Sequence, residues 1–443
     1  MAAAATGTGS AATGGTIPGT TPARTATTAA TPPGAPVQLL ADESLNYSAL
    51  DALGAAGYGV TDVGEVLTAV ATINAAGPSL QTYTDTFLAW GHRLFELSQQ
   101  ARARDRVSSG EYALRAAASY AQALFYVLGT DAPGREQAVF LAGRRMWDRW
   151  TQSIRPVAER MDVSYGQTSL PVWFFRPDTD HRPRPTLILT NGSDGQSVDM
   201  WAYGVAAALD RGWNAVVYEG PGQGEPLFVH DIPFTPRWED VVSPIVDRLW
   251  RRRDVDRRRI ALFGLSMGGA LVARAAAVEH RLAALVCAPA VVSPWAAFPA
   301  AFRSVITADK AKTNQVWNTD VVPELPPAVR FLLAKRYEPF GAAVVDAVRS
   351  GQLPTDIWTP SQLLQALDVT SVAEQIRCPT LVLDYDDEQF YPGQPKQFAA
   401  LLKSSATYRL LTEAEGAQLH RSPMAPRVHN EVVFSWLEGT LNA

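Results

Sequence analysis

Ile260-Ala261-Leu262-Phe263-Gly264-Leu265-Ser266-Met267-Gly268-Gly269-Ala270-Leu271 reads as an apolar strand, a glycine-flanked turn and the start of a helix. The strand lies in an apolar run over 259–265, and the helical pattern continues over 270–277. In that context G-x-S-x-G forms a nucleophile elbow, a sharp turn that lifts a serine hydroxyl above the end of a sheet. Glycines flank the serine because its backbone is strained and a neighbouring side chain would clash. Ser266 is therefore the leading candidate for a nucleophile.

Outward from the elbow, short apolar runs recur at 186–190, 215–219, 283–288 and 380–384, separated for the most part by helix-like stretches. Strands apolar throughout are covered on both faces, so the pattern predicts a mostly parallel sheet with helices on each side. Upstream, 162–165 and 170–176 read as paired strands around Gly166. Between Pro289 and Cys378 the rhythm breaks for about 90 residues rich in Trp, Phe, Pro and Leu, too long for a loop. A helical cap insertion over about 290–377 is expected, with Trp295, Phe298, Phe302, Trp317, Phe331, Tyr337 and Trp358 packing it or lining a pocket.

The N-terminal part has a different period. Val63, Val66, Leu67, Val70 and Ile73 form one helical stripe, and Phe87, Trp90, Leu94, Phe95 and Leu97 another. Ser108 and Ser109, with Glu111, are expected to start a third helix, and a fourth follows the Asp131-Ala132-Pro133-Gly134 break. This predicts an all-helical lid domain over 43–155, ahead of a catalytic domain over 156–443. The first 36 residues have no aromatic or acidic side chain and a single charge, Arg24. A tail over 1–42 that cannot offset its ordering entropy is expected to be disordered.

Composition narrows the function. In 443 residues, Asp and Glu outnumber Lys and Arg 44 to 39, which argues against nucleic acid as partner. No apolar run is long enough to span a bilayer, and no basic start with a Leu-rich segment marks a secretory signal. A cytoplasmic enzyme acting on a small molecule is expected, with no membrane partner and with a homodimer allowed. Only two cysteines occur, Cys287 within a strand and Cys378 before Pro379. They leave no disulfide framework or cysteine-rich metal site, and neither a cofactor nor a metal is expected.

A serine nucleophile needs a histidine base and the base an orienting acid, in the chain order Ser, acid, His. Of six histidines, only His420 and His429 follow the last strands. His420 sits in a loop after the strand-like 407–411, whereas His429 falls in the closing helix, so His420 is taken as the base. The acid belongs in Asp384-Tyr385-Asp386-Asp387-Glu388-Gln389-Phe390-Tyr391-Pro392. Glu388 is placed first and Asp387 second, with Asp384 and Asp386 still open. Oxyanion donors are expected from the Met267 amide and from Ser193, Asp194 and Gly195 in Asn191-Gly192-Ser193-Asp194-Gly195. Gly220-Pro221-Gly222-Gln223-Gly224 departs from G-x-G-x-x-G and reads as a sharp turn at a strand end near the site.

With these motifs in this order, the chain from about Asp62 to its end resembles the α/β-hydrolases. The whole pattern resembles the FrsA-like branch that includes 2,6-dihydroxypseudooxynicotine hydrolase and the fungal polyketide-shortening pigment hydrolases. The resemblance also rests on Thr61-Asp62-Val63-Gly64-Glu65-Val66-Leu67, Phe390-Tyr391-Pro392-Gly393-Gln394 and Glu415-Gly416-Ala417. It implies an α/β-hydrolase fold whose helical N-terminal domain and inserted cap cover the site. It also implies metal-free Ser–acid–His catalysis on esters, or on C–C bonds beside a carbonyl, in aromatic or polyketide-like substrates. Two departures stand out: Glu388 where relatives usually carry Asp, and Arg421 after His420 where many have a small residue or Cys. The rival readings are a lyase or cyclase on the same scaffold and an acylaminoacyl-type peptidase, although the latter usually carries a β-propeller.

Overall fold

β1 (Glu159–Tyr165), β2 (Thr168–Phe175), β3 (Arg184–Thr190), β4 (Asn214–Tyr218), β5 (Val255–Leu265), β6 (Ala284–Ala288), β7 (Thr380–Tyr385) and β8 (Ala406–Leu411) form one sheet in a computed structural model describing residues 37–442. The spatial order is β1-β2-β4-β3-β5-β6-β7-β8. The β1–β2 hairpin turns at Gly166, whose φ of 55° suits glycine, and β2 also pairs antiparallel with β4. From β4 to β8 every pairing is parallel. The central strands are buried along their length because helices cover both faces, which is why their sequences lack alternation. β5 starts earlier than the apolar run suggests, and an ion pair between Asp256 and Arg259 accommodates its polar first residues.

Five helices precede the sheet: α1 (Glu43–Ala55), α2 (Val63–Ala76), α3 (Leu80–Ala101), α4 (Arg106–Tyr126) and α5 (Glu136–Ser153). Side-chain caps from Asp42, Asp62, Ser79 and Asp105 explain where the first four begin. The expected start of α4 at Ser108–Ser109 is corrected by this capping. Asp105 accepts from the Ser108 amide at 3.0 Å, its carboxylate suiting the positive helix end, while Ser109 is buried within the helix.

Residues 1–36 of the expected tail lie outside the described residues. Its last residues already belong to the fold: Leu40 is buried, and the Leu39 and Leu40 amides donate to Asn46 Oδ1 at 2.7 and 3.2 Å. The chain from Gln38 onward is one compact unit.

Between β6 and β7 run the helices Lys310–Val316, Pro327–Tyr337, Ala342–Arg349 and Trp358–Gln365. Their aromatic residues pack mainly on one another: Phe298 lies 5.5 Å from both Phe302 and Tyr337, and Phe302 meets Trp317 edge-on at 5.9 Å. Phe331 instead stacks on Tyr126 of α4 at 5.7 Å, joining this segment to the N-terminal helices. A buried charge cluster reinforces that joint. Glu136 of α5 pairs with Arg349 at 3.0 Å and faces Lys335, which pairs with Glu338 at 2.8 Å. Among the described residues no helix is long and apolar enough to cross a membrane.

Candidate active site

The carboxyl ends of β3, β5, β7 and β8 open onto the loops that carry the candidate residues, where ligands bind in open parallel sheets. Ser266 lies between β5 and the helix Gly268–Ala276, with φ of 56°. A non-glycine residue in the left-handed region is strained, and here its neighbours permit it. A Cβ on Gly264 would collide with the Gly268 carbonyl, and one on Gly268 would lie 2.8 Å from the Asn191 carbonyl oxygen. The Ser266 amide donates to the Ala288 carbonyl at the end of β6, at 2.8 Å, which fixes the elbow against the sheet.

Ser266 Oγ lies 2.8 Å from His420 Nε2, and His420 Nδ1 lies 2.8 Å from both carboxylate oxygens of Glu388. His420 is 3% exposed and Glu388 9%, so the contact is nearly dry. The Phe390 and Tyr391 amides donate to Glu388 Oε1 at 2.9 and 3.0 Å. Burial pushes the Glu388 carboxyl up, but the His420 charge, its hydrogen bond and these two amides together hold it below the usual carboxylate range. Phe390 meets the imidazole edge-on at 4.8 Å, and Tyr391 lies 5.8 Å from it, so aromatic walls restrict the ring.

The other acids are engaged elsewhere or turned outward. Asp384 accepts from its neighbour's amide and from the Tyr408 hydroxyl, while Asp386 accepts from the Glu413 amide. Asp387, the second candidate, is exposed, and its backbone bridges to Leu419. His429 is buried in the helix Pro426–Leu441 between the rings of Tyr203 and Phe263, and burial lowers its pKa to about 4.

Of the candidate oxyanion donors, Met267 and Ser193 both have amides that donate to no protein acceptor among the described residues. Gly192 brings the second loop close, since a Cβ there would lie 2.8 Å from Ser266 Cβ. The Ser193 hydroxyl donates to Asp194 at 2.6 Å, and Asp194 and Gly195 are half-buried beside it. The Gly220–Gly224 turn has a clear task that sequence reasoning missed. Gln223 Nε2 donates to the Asn191 and Gly192 carbonyls at 2.7 and 2.9 Å, pinning the 191–195 loop. A short helix, Gly224–Phe228, also starts there. Gly222 and Gly224 adopt φ of 76° and 47°, and a Cβ on Gly220 would lie 2.6 Å from the Trp238 ring, which accounts for the three alternating glycines.

Two further groups escaped the sequence. Arg144 of α5 pairs at 2.5 Å with both Glu219 and Glu225, and Glu219 also accepts from Ser197, which ties α5 to the loop after Gly195. Tyr47 of α1 donates to the His420 carbonyl at 2.6 Å, and Asp51 pairs with Arg421 at 3.0 Å. The cysteines stay apart from this chemistry: both are buried, and burial pushes the Cys378 thiol up to about 11. Among the described residues no group of three or more His, Cys, Asp or Glu could hold a metal ion.

The fold is a mostly parallel α/β sheet with the candidate residues on loops at the carboxyl ends of its strands. Residues 195–433 match the family described as the alpha/beta hydrolase family, and the chain belongs to it. Among curated relatives, it is 25% identical to the 20-hydroxy-prefusarin hydrolase FUS2 of Gibberella moniliformis, over 91% of this chain and 98% of that one. It is 28% identical to hydrolase ORFZ of Pyricularia oryzae, over 74% and 79%. Among solved structures, 2,6-dihydroxy-pseudo-oxynicotine hydrolase shares the fold with a TM-score of 0.63 at 20% identity, covering 88% of this chain and 95% of that one.

Proposed function

We propose that this α/β-hydrolase cleaves an ester, or a C–C bond beside a carbonyl, through an acyl-enzyme on Ser266. The observation that carries the proposal is the unbroken Ser266–His420–Glu388 hydrogen-bond chain, with 2.8 Å at each step. His420 Nε2 takes the Ser266 proton as Oγ attacks the carbonyl carbon, and Glu388 stabilises the imidazolium that forms. The Met267 amide and the Ser193–Gly195 loop receive the oxyanion. When the tetrahedral adduct collapses, the C–O or C–C bond breaks. The leaving alkoxide or enolate takes the proton from the imidazolium. A water deprotonated by His420 then attacks the acyl carbon and frees Ser266 with a carboxylic acid.

An aromatic or polyketide-like small molecule is supported by the full-length similarity to 20-hydroxy-prefusarin hydrolase and by the aromatic residues around His420. The test pairs a panel of p-nitrophenyl esters and aryl β-diketones with Ser266→Ala and a serine-directed phosphonate. Turnover should disappear in the variant together with phosphonate labelling, and in ¹⁸O-water the label should enter the acid product. Full activity in Ser266→Ala, or turnover without ¹⁸O uptake, overturns the reading.

A further inference from the structure

Immediately after His420 the backbone turns through Arg421 and Ser422, with φ of 65° and 54°. Two consecutive left-handed residues with side chains persist only where surrounding contacts over-determine them. From within, the Ser422 amide donates to the Leu419 carbonyl at 2.7 Å and its hydroxyl to the Ala417 carbonyl at 2.8 Å. From outside, the restraints come from α1. The Tyr47 hydroxyl donates to the His420 carbonyl at 2.6 Å, Arg421 Nε donates to that hydroxyl at 3.3 Å, and the guanidinium pairs with Asp51 at 3.0 Å. The Tyr203 hydroxyl donates to the same Asp51 oxygen at 3.0 Å, and the guanidinium faces the rings of Tyr47 and Tyr203 at 6.0 and 5.3 Å. Tyr47 also meets Phe390 edge-on at 6.0 Å, and Phe390 is the ring against the His420 imidazole.

We infer that Asp51 and Tyr47 of α1 are positioning residues for the base, fixing His420 through Arg421, the His420 carbonyl and Phe390. This rests on the serine-hydrolase reading above, in which the 2.8 Å Nε2–Oγ contact is the reactive one. Neither residue touches Ser266 or His420's reactive nitrogen; both act on the peptide and the ring wall that aim it. Burial pushes the Tyr47 hydroxyl up to about 12, against the pull of Arg421, so it remains a donor at working pH. Removing Asp51 leaves the largely covered Arg421 guanidinium without the carboxylate that pairs with it and takes away one restraint on the turn that holds His420. Through α1, the N-terminal helical segment thus reaches the turn that carries the base. It also gives Arg421 a specific task.

The test uses the full chain with Tyr47→Phe, Asp51→Asn, Asp51→Glu and the Tyr47→Phe/Asp51→Asn pair. Readouts are kcat and KM on a p-nitrophenyl ester, the second-order rate of phosphonate labelling, and thermal unfolding. Tyr47→Phe and Asp51→Asn should lower kcat and the labelling rate about 10- to 100-fold, the scale of a misaimed catalytic group, with KM nearly unchanged. Asp51→Glu should recover part of the loss. The pair should lose little more than the worse single variant, because both act on one group. Folded variants that keep the wild-type kcat and labelling rate, or that lose activity only through KM, overturn the positioning role. A wild-type chain that no phosphonate labels overturns the serine reading and this inference with it. Should Asp51→Asn fail to fold, Tyr47→Phe decides, since it removes a single oxygen.

Discussion

Glu388→Gln separates the acid from its neighbours most cleanly, because the substitution keeps the shape of the loop. The Phe390 and Tyr391 amides can still donate to Oε1, as they do now at 2.9 and 3.0 Å. The new amide nitrogen then faces His420 Nδ1 and donates to it. That places the ring proton on Nε2, the atom that must accept from Ser266 Oγ. The carboxylate's charge is lost as well. At 2.8 Å and an effective dielectric of ~20, Coulomb's law gives about 6 kcal/mol between carboxylate and imidazolium. That corresponds to about four powers of ten in rate. We expect kcat/KM for a p-nitrophenyl ester to fall about 10⁴-fold, with phosphonate labelling falling in parallel and KM little changed. Asp387→Asn, at an exposed side chain one residue away, should stay within about twofold of wild type. A folded Glu388→Gln within tenfold of wild type, or an Asp387→Asn that collapses instead, would refute this assignment.

Gln223→Ala should leave the Asn191 and Gly192 carbonyls without their buried donor and cost about 2–3 kcal/mol of stability in denaturant titration, with kcat falling more than KM rises. An unchanged kcat would mean that the 191–195 loop holds its shape without Gln223. His429→Phe should keep full activity and flatten the acid side of the stability profile. The folded ring resists protonation until about pH 4 whereas the unfolded chain titrates near 6.5, so wild type loses this contribution as pH falls between those values. Thermal unfolding of both chains from pH 4 to 7 checks this, and parallel profiles would contradict it.

The sheet was legible because burial on both faces leaves a signature that needs no partner to interpret. A run such as Ala284-Leu285-Val286-Cys287-Ala288 has no polar residue for solvent to reach, whichever strands flank it. Element starts were less legible, for a local reason. Asp105 and Ser108 are both acceptable caps, and the choice depends on α3, whose Ser98 carbonyl takes the Ser109 hydroxyl inside the bundle. The polar beginning of β5 was hidden because Asp256 and Arg259 neutralise each other, which no hydropathy pattern registers.

For the site, legibility followed the range of the interaction that defines each residue. Ser266 is fixed by glycines within a few positions, so its strained turn is written into the adjacent sequence. The choice between Glu388 and Asp387 is not, since both lie in the turn after β7 that the Glu388 amide closes by donating to the Tyr385 carbonyl at 3.2 Å. The deciding contact is the backbone bridge from Asp387 to Leu419, which turns Asp387 outward and directs Glu388 to His420. Tyr47 and Asp51 left no trace at all, because their partners lie some 370 positions further along the chain. Arg421 marks the limit of such reading. As a departure it was visible in the sequence, but a largely covered guanidinium acquires a role only through the carboxylate that pairs with it. That carboxylate reaches it only once α1 has packed against the His420 turn. The sequence difference and the long-range contact are therefore one feature. Substitution at Arg421 in any relative should be matched by change at the position of Asp51, since either half alone leaves a largely covered charge without its partner.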